Sequence, residues 1–265
     1  MKPDSFSSGP LPLSLEWGRR GVQRAAARGD AIIAVDVLSF STVAAIAASR
    51  GASLLPCRDA SEAEALARQT GAQAAPAGRS KKRFSLSPAG CLQIETGSRL
   101  VLASPNGATC CGLAREAPAL LVGALVNARA SAEAAAHLAR ATGAAGIAVI
   151  ACGERWAPPE PDEPGEEIRF ALEDWLGAGA ILSHLEGDKS ADARAAEATF
   201  RVNQERLADL IRDCPSGREL IDRGFPEDVE LAVRLNAFAA VPVRGAGGWL
   251  EPWRDPDFSA AAFSA

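Results

Sequence analysis

Three short polar turns in the sequence carry residue types suited to holding a phosphorylated anion. In the first, AVDVLSFST (Ala34 to Thr42), the carboxylate Asp36 closes an apolar run, and Ser39, Ser41 and Thr42 lead into an alanine-rich stretch. A helix opening there would turn unpaired N–H groups and the positive end of its dipole toward an anion, with the hydroxyls as further donors. The competing reading is a helix cap with no chemistry. The second turn is SPNGAT (Ser104 to Thr109). Its Asn106-Gly107 pair makes a tight turn with exposed backbone donors, and Thr109 adds a hydroxyl; a plain strand-to-helix connection accounts for the same residues. The third is ACGERW (Ala151 to Trp156), where Gly153 permits close backbone approach and Glu154 and Arg155 can reach a metal or an anion.

Two further segments bear charge. EEIRFALEDWLGAGAI contains Glu166, Glu167, Glu173 and Asp174. Such carboxylates fit a hard cation such as Mg²⁺, which takes about one or two of them together with waters and phosphate oxygens. Helical periodicity favours the opposite reading. The apolar stripe runs through Ile168, Leu172, Trp175 and Gly179, leaving Glu167 and Asp174 on a solvated acidic face. The basic run Arg79, Lys81, Lys82, Arg83 reads as a solvated loop, or as one that closes over a phosphate or carboxylate.

The elements that would position these residues alternate along the chain. Short aliphatic runs at 30–36, 52–56, 99–103, 119–123 and 145–151 are apolar on consecutive residues, as in strands buried on both faces. Amphipathic alanine-rich helices lie between them, one started by Asp59 with Glu62 and stopped by Gly71, another between Ser131 and Gly143 with His137 in a structural position. This order predicts a three-layer α/β/α fold with a largely parallel or mixed central sheet. The polar turns after residues 35, 103 and 151 should then meet at one rim, where open α/β sheets place ligands. The first 25 residues, 74–98 and 156–166 read as loops. From about 165 the chain turns helical as far as 236, with a strand at 238–243. One α/β domain over 1–243 followed by a C-terminal tail, 244–265, is the expected organisation.

Composition narrows the function. In 265 residues, 28 Lys+Arg against 33 Asp+Glu leave a charge of −5, which gives no general attraction to nucleic acid or anionic membranes. No apolar run approaches the ~20 residues of a membrane span, and the proline- and serine-broken start lacks the apolar core of a secretory signal. A cytoplasmic protein is expected. The six cysteines contain no CxxC pair and only two histidines accompany them, so they read as reduced, buried thiols rather than a zinc site.

Taken in order, VDVLSFST, the SLSP of 85–88, SPNGAT, Asn127, ALEDWLGAG and the closing DVELAVRLNAFAAVPV resemble the 2-phosphosulfolactate phosphatase family over about residues 30 to 243. The resemblance implies a Mg²⁺-dependent phosphoric monoester hydrolase acting on phosphate esters of 2-hydroxy acids, with coenzyme M biosynthesis as the family's setting. Asp36, Ser41 and Thr42 match its first motif, Ser87 and Pro88 its NSP-like loop, Asn106, Gly107 and Thr109 its NGT-like turn, and Glu173 and Asp174 its acidic helix. Three positions depart: Ser39 stands in place of Arg, Leu86 in place of Asn, and no acid follows Gly78. Arg79, Lys81 or Arg155 would have to compensate.

The expected site therefore has Asp36, Asp174 and Glu154 as catalytic groups. Ser39, Ser41, Thr42, Arg79, Asn106, Gly107, Thr109 and Arg155 would bind substrate, and Asp36, Glu173 and Asp174 would hold Mg²⁺. The expected partners are a small phosphorylated anion and, at most, further copies of the chain in a homo-oligomer. A rival reading is a catalytically impaired homologue that binds an anionic metabolite.

Overall fold

The computed structural model describes residues 11–76, 78–155 and 168–253. In chain order the elements are β1 (Leu13–Trp17), α1 (Gly18–Arg28), β2 (Ala31–Val35), α2 (Phe40–Ser49), β3 (Ser53–Cys57), α3 (Ala60–Thr70) and β4 (Gln73–Ala74). There follow β5 (Arg99–Ala103), α4 (Gly107–Leu113), β6 (Leu120–Gly123), α5 (Ala128–Thr142), β7 (Ile147–Ala151) and the two-residue strands β8 (Glu154–Arg155) and β9 (Ile168–Arg169). The C-terminal part contains α6 (Leu172–Leu182), α7 (Ala191–Asn203), α8 (Leu207–Asp213), α9 (Pro215–Asp222), α10 (Pro226–Ala232), β10 (Val241–Arg244) and β11 (Leu250–Trp253).

The main sheet runs β1-β7-β2-β6-β10-β11-β3-β5-β4. Every strand pair is parallel except the three involving the β10–β11 hairpin. Three successive antiparallel pairings reverse direction, so the block β3-β5-β4 runs opposite to β1-β7-β2-β6. The sheet is α/β and mixed, as expected, and helices cover both faces. Alternation along β2 shows the layering: Ile33 and Val35 pack with Leu176, Ile181 and the alanines of α5, while Ile32 and Ala34 pack with α1, α2 and α4. Each such fully buried Ile or Val stabilises the fold by about 1.5–3 kcal/mol. The second helix, α2, is buried on all sides and touches β6, β10, β11 and β3. An all-round apolar helix of this kind belongs inside a core.

Several expectations need correcting. Of the first 25 residues, expected as a loop, 1–10 lie outside the described residues, while 13–17 is an edge strand and 18–28 a helix ended by Gly29 in the left-handed conformation (φ 80°). The strand is half exposed and the helix buries only Gly18, Gly21, Val22 and Ala25, a stripe of small residues that gives little periodic signal. Within 74–98 the segment is not solvated throughout, because Phe84, Ser85, Ser87 and Cys91 are buried. Within the expected tail, 250–253 forms a strand of the main sheet, with Leu250 opposite Leu54 and Trp249 under the Arg99 guanidinium, 4.1 Å from the ring centre, and 254–265 lie outside the described residues. The 156–166 loop, and Glu166 and Glu167 with it, lie outside the described residues.

Other expectations hold. Asp59 caps α3 by accepting the Glu62 N–H at 2.9 Å, and Gly71 and Gly143 end α3 and α5 at positive φ. His137 packs against Trp253 in a structural role. All six cysteines are free and buried. Among the described residues no helix is long and apolar enough to cross a membrane.

Because β11 joins the two blocks, its core residue should matter as much as one in β2. Leu250→Ala is expected to lower the unfolding free energy by about 2–4 kcal/mol in urea titrations. A loss below about 1 kcal/mol would mean the hairpin is peripheral.

Candidate active site

The turns after β2, β5 and β7 meet, and buried carboxylates join them. Asp36 follows β2 and is 6% exposed. Its Oδ2 accepts the backbone N–H of Gly107 at 2.8 Å and the Ser104 hydroxyl at 3.3 Å, while Oδ1 has a longer contact of 3.4 Å from the Phe40 N–H. Only glycine allows this approach. A Cβ on Gly107 would lie 2.7 Å from Asp36 Oδ2 and 2.5 Å from the Phe40 ring. The turn after β7 closes on the turn after β5, where the Asn106 amide donates to Glu154 Oε1 at 2.8 Å.

These residues line a cavity of about 580 Å³ between the rim, the 79–86 segment and α9. Asp36, Glu154 and Glu219 supply its carboxylates, Glu219 being paired with Arg223 at 2.8 Å. Arg79, Arg155, Arg169 and Arg223 supply guanidinium groups, and Ser39, Asn106 and Ser216 supply neutral polar ones. Arg155 donates to the Pro105 carbonyl at 2.7 Å, and Arg169 to the Ser216 hydroxyl at 3.4 Å. Burial first, and then the nearby Glu154 carboxylate, push Asp36 up to about 6 against the three donors that hold it. Glu154 is also raised, chiefly by burial, while Asn106 and Arg169 pull it back. Two acids whose proton affinity is raised by burial, set among guanidinium groups, form an environment of the kind found where proton or cation chemistry occurs.

Asp174 is drawn into the same construction from behind. It is 3% exposed and does not line the cavity. Its two oxygens accept the N–H of Val37 at 2.8 Å and of Gly153 at 2.9 Å, so one carboxylate ties the ends of β2 and β7 together. Burial, Asp36 and Glu173 hold it well above the usual carboxylate range. The expected solvated acidic face is thus a buried one. The apolar stripe misled because α6 is covered on both sides, with residues 176 through 182 all buried.

Six of the expected residues line the cavity: Asp36, Ser39, Arg79, Asn106, Glu154 and Arg155. Gly107 and Asp174 support it through the bonds above. Ser41 and Thr42 turn inward, their hydroxyls donating to the carbonyls of Ala34 and Val37, so the expected hydroxyl cradle is reduced to Ser39. Thr109 donates to the Ser104 carbonyl and borders a separate groove. Glu173 points elsewhere, its Oε2 accepting the Cys214 thiol at 3.3 Å. Among the described residues no group of three His, Cys, Asp or Glu side chains gathers as a metal site. The missed residues are Ser104, Arg169, Ser216, Arg223 and Asp228. Ser104, Arg169 and Asp228 stood inside segments already singled out, though not themselves picked from them, whereas Ser216 and Arg223, with the equally missed Glu219, belong to α9 and its C-cap, where no local pattern marks them.

Comparison with known proteins agrees with the sequence resemblance. The family profile described as 2-phosphosulpholactate phosphatase matches residues 20–246. A probable 2-phosphosulfolactate phosphatase of Thermosynechococcus vestitus is 29% identical over 231 residues, covering 80% of this chain and 88% of its own. One from Carboxydothermus hydrogenoformans is 26% identical over 223 residues, 82% and 87% of the two chains. The 2-phosphosulfolactate phosphatase of Methanothermobacter thermautotrophicus is 37% identical over 81 residues, 30% of this chain and 34% of its own.

Two tests follow from the Asp36 environment. A carboxyl raised from 3.8 to about 6 on folding favours the folded state while protonated. That contribution is whole below about pH 4 and is lost as pH rises through 6, by about 3 kcal/mol in all. With EDTA present, the unfolding free energy of the parent measured relative to Asp36→Asn should therefore fall by that amount from pH 4 to 7; a flat difference would refute the shift. Gly107→Ala should destabilise the protein by about 1–3 kcal/mol through the displaced Asp36 and Phe40 side chains, as read from thermal unfolding.

Proposed function

The chain belongs to the 2-phosphosulfolactate phosphatase family, and we propose that it hydrolyses the phosphate ester of a small 2-hydroxy acid, 2-phosphosulfolactate or a close analogue. The observation that carries this reading is the gathering of three carboxylates, Asp36, Glu154 and the Arg223-paired Glu219, with four guanidinium groups around one small cavity. Such a cavity suits a compact ligand that bears a phosphate and further anionic groups.

In phosphoryl transfer the protein contributes mainly positioning and charge stabilisation. Ser39 and Arg79, beside Asp36, orient the phosphoryl oxygens. Arg155 and Arg169, on the β8–β9 ribbon, hold the remaining anionic groups of the substrate. Gly107 and Ser104 fix Oδ2 of Asp36, and Oδ1 keeps the weaker contact, so Oδ1 is the oxygen that turns toward the ester. Attack by Asp36 on phosphorus and attack by water beside it both need this carboxylate ionised.

Two carboxylates raised by burial and, at Asp36, by the charge of its neighbour also fit a hard divalent cation, which takes about one or two carboxylates and completes its shell with water and phosphate oxygens. In this reading Asp36 and Glu154 would hold Mg²⁺, and the ion would offset negative charge on the phosphoryl group. Asp174 serves as a brace, since both its oxygens are occupied by backbone donors. The departure at Ser39 is compensated from another segment, because the Arg79 guanidinium donates to the Ser39 hydroxyl at 3.0 Å and returns a planar cation to that position.

The test is phosphate release from 2-phosphosulfolactate, 2-phospholactate and p-nitrophenyl phosphate, with Mg²⁺ and with EDTA. We expect turnover of the 2-hydroxy-acid esters, its loss on chelation, and a drop of at least about a hundredfold in Asp36→Asn. Binding of these esters without release by the parent protein would favour the rival, an anion-binding homologue that has lost catalysis.

A further inference from the structure

Asp228, on α10, is wholly buried and lies behind the cavity wall. Its Oδ1 accepts the Ser87 hydroxyl at 2.6 Å and the Ala89 N–H at 3.0 Å, and its Oδ2 pairs with Arg79 Nη1 at 3.4 Å. That same Nη1 donates to the Leu86 carbonyl at 2.6 Å and to the Ser39 hydroxyl at 3.0 Å. One end of the guanidinium is thus committed three ways. Among the described residues Nε and Nη2 of Arg79 have no hydrogen-bond acceptor, and the residue lines the cavity, so these two donors are the ones left for a ligand there. They form the fork that receives two oxygens of a phosphate.

We propose that Asp228 is a positioning residue that fixes Arg79 as the phosphate-binding fork of the site. It does so twice over, by pairing with Nη1 and by pinning the 85–89 turn whose Leu86 carbonyl is the shortest acceptor of that nitrogen. The charge balance supports this role. Arg79 is a tenth exposed, its proton affinity is lowered first by burial, and Asp228 is the largest influence restoring it. A buried cation without such a counter-charge is costly and would swing toward water. Its neighbours in the basic run show the contrast, since Lys81 pairs with Glu227 at the surface and Lys82 and Arg83 are exposed. The inference rests on the reading of the cavity as a phosphate site.

The experiment measures inorganic phosphate binding by calorimetry and thermal unfolding for the parent, Asp228→Asn, Arg79→Ala and the double variant. Asparagine keeps an acceptor for Ser87 and Ala89 but turns an amide toward Nη1. We expect phosphate affinity to fall about tenfold or more in Asp228→Asn, about as far in Arg79→Ala, and no further in the double variant, because the two act as one unit. Turnover of the 2-hydroxy-acid ester should show a matching rise in KM with kcat within about threefold. Unchanged affinity in Asp228→Asn, or full additivity in the double variant, overturns the proposal even if Arg79→Ala shows that the cavity binds phosphate. No phosphate binding by the parent protein overturns the underlying phosphate-site reading, and the proposal with it. If Asp228→Asn does not fold, Asp228→Glu, which keeps the charge but moves it, serves with the same expectations.

Discussion

Three buried aspartates, each accepting backbone N–H groups from distant parts of the chain, are the constraint on which this site depends. Asp36 receives Gly107, Asp174 receives Val37 and Gly153, and Asp228 receives Ala89. A carboxylate can serve in this way because it offers about four acceptor positions in a small volume, so one side chain can satisfy donors from two or three turns. Burying the charge is expensive, and removing one partner leaves the others unsatisfied. The arrangement therefore holds only as a set, and it converts loops that would otherwise drift into a defined rim.

The same arrangement explains why the cavity is electrostatically unusual. Donors aimed at Asp36 lower its proton affinity, yet burial and Glu154 outweigh them. The site keeps unfavourable ionisation in the free protein, which a cationic or phosphorylated ligand would relieve. Sites of this sort trade some stability for preorganisation. The supporting groups show where that cost is offset: α6 packs an almost entirely apolar run against the sheet immediately after Asp174, and α2 is enclosed by strands immediately after Ser39.

Much of this was legible in the sequence, and the remainder was hidden for identifiable reasons. Strands buried on both faces announce themselves as aliphatic runs, so five of them, and the turns that follow, were visible. Asp36 and Gly107 stood out because each sits in a polar turn that directly follows an aliphatic run and leads into a helix. Asp174 was misjudged because helical periodicity presumes one covered face, and this helix has two. Arg79 could not be told from Lys81, Lys82 and Arg83 by local charge, since the difference is made by Asp228, 149 positions away. Pairings over such separations leave no periodic trace. The second strand of the C-terminal hairpin was read as part of a tail for a similar reason: LEPW contains a proline, and its partner β3 lies far back in the chain.

That hairpin also covers two strand borders that would otherwise be open. Without residues 241–253 the two parallel blocks would end in facing borders, β6 and β3, with no neighbour on one side. Unpaired strand borders invite wrong partners, including those of other copies. One hairpin therefore shields two strand borders at once, and its loss would uncover both.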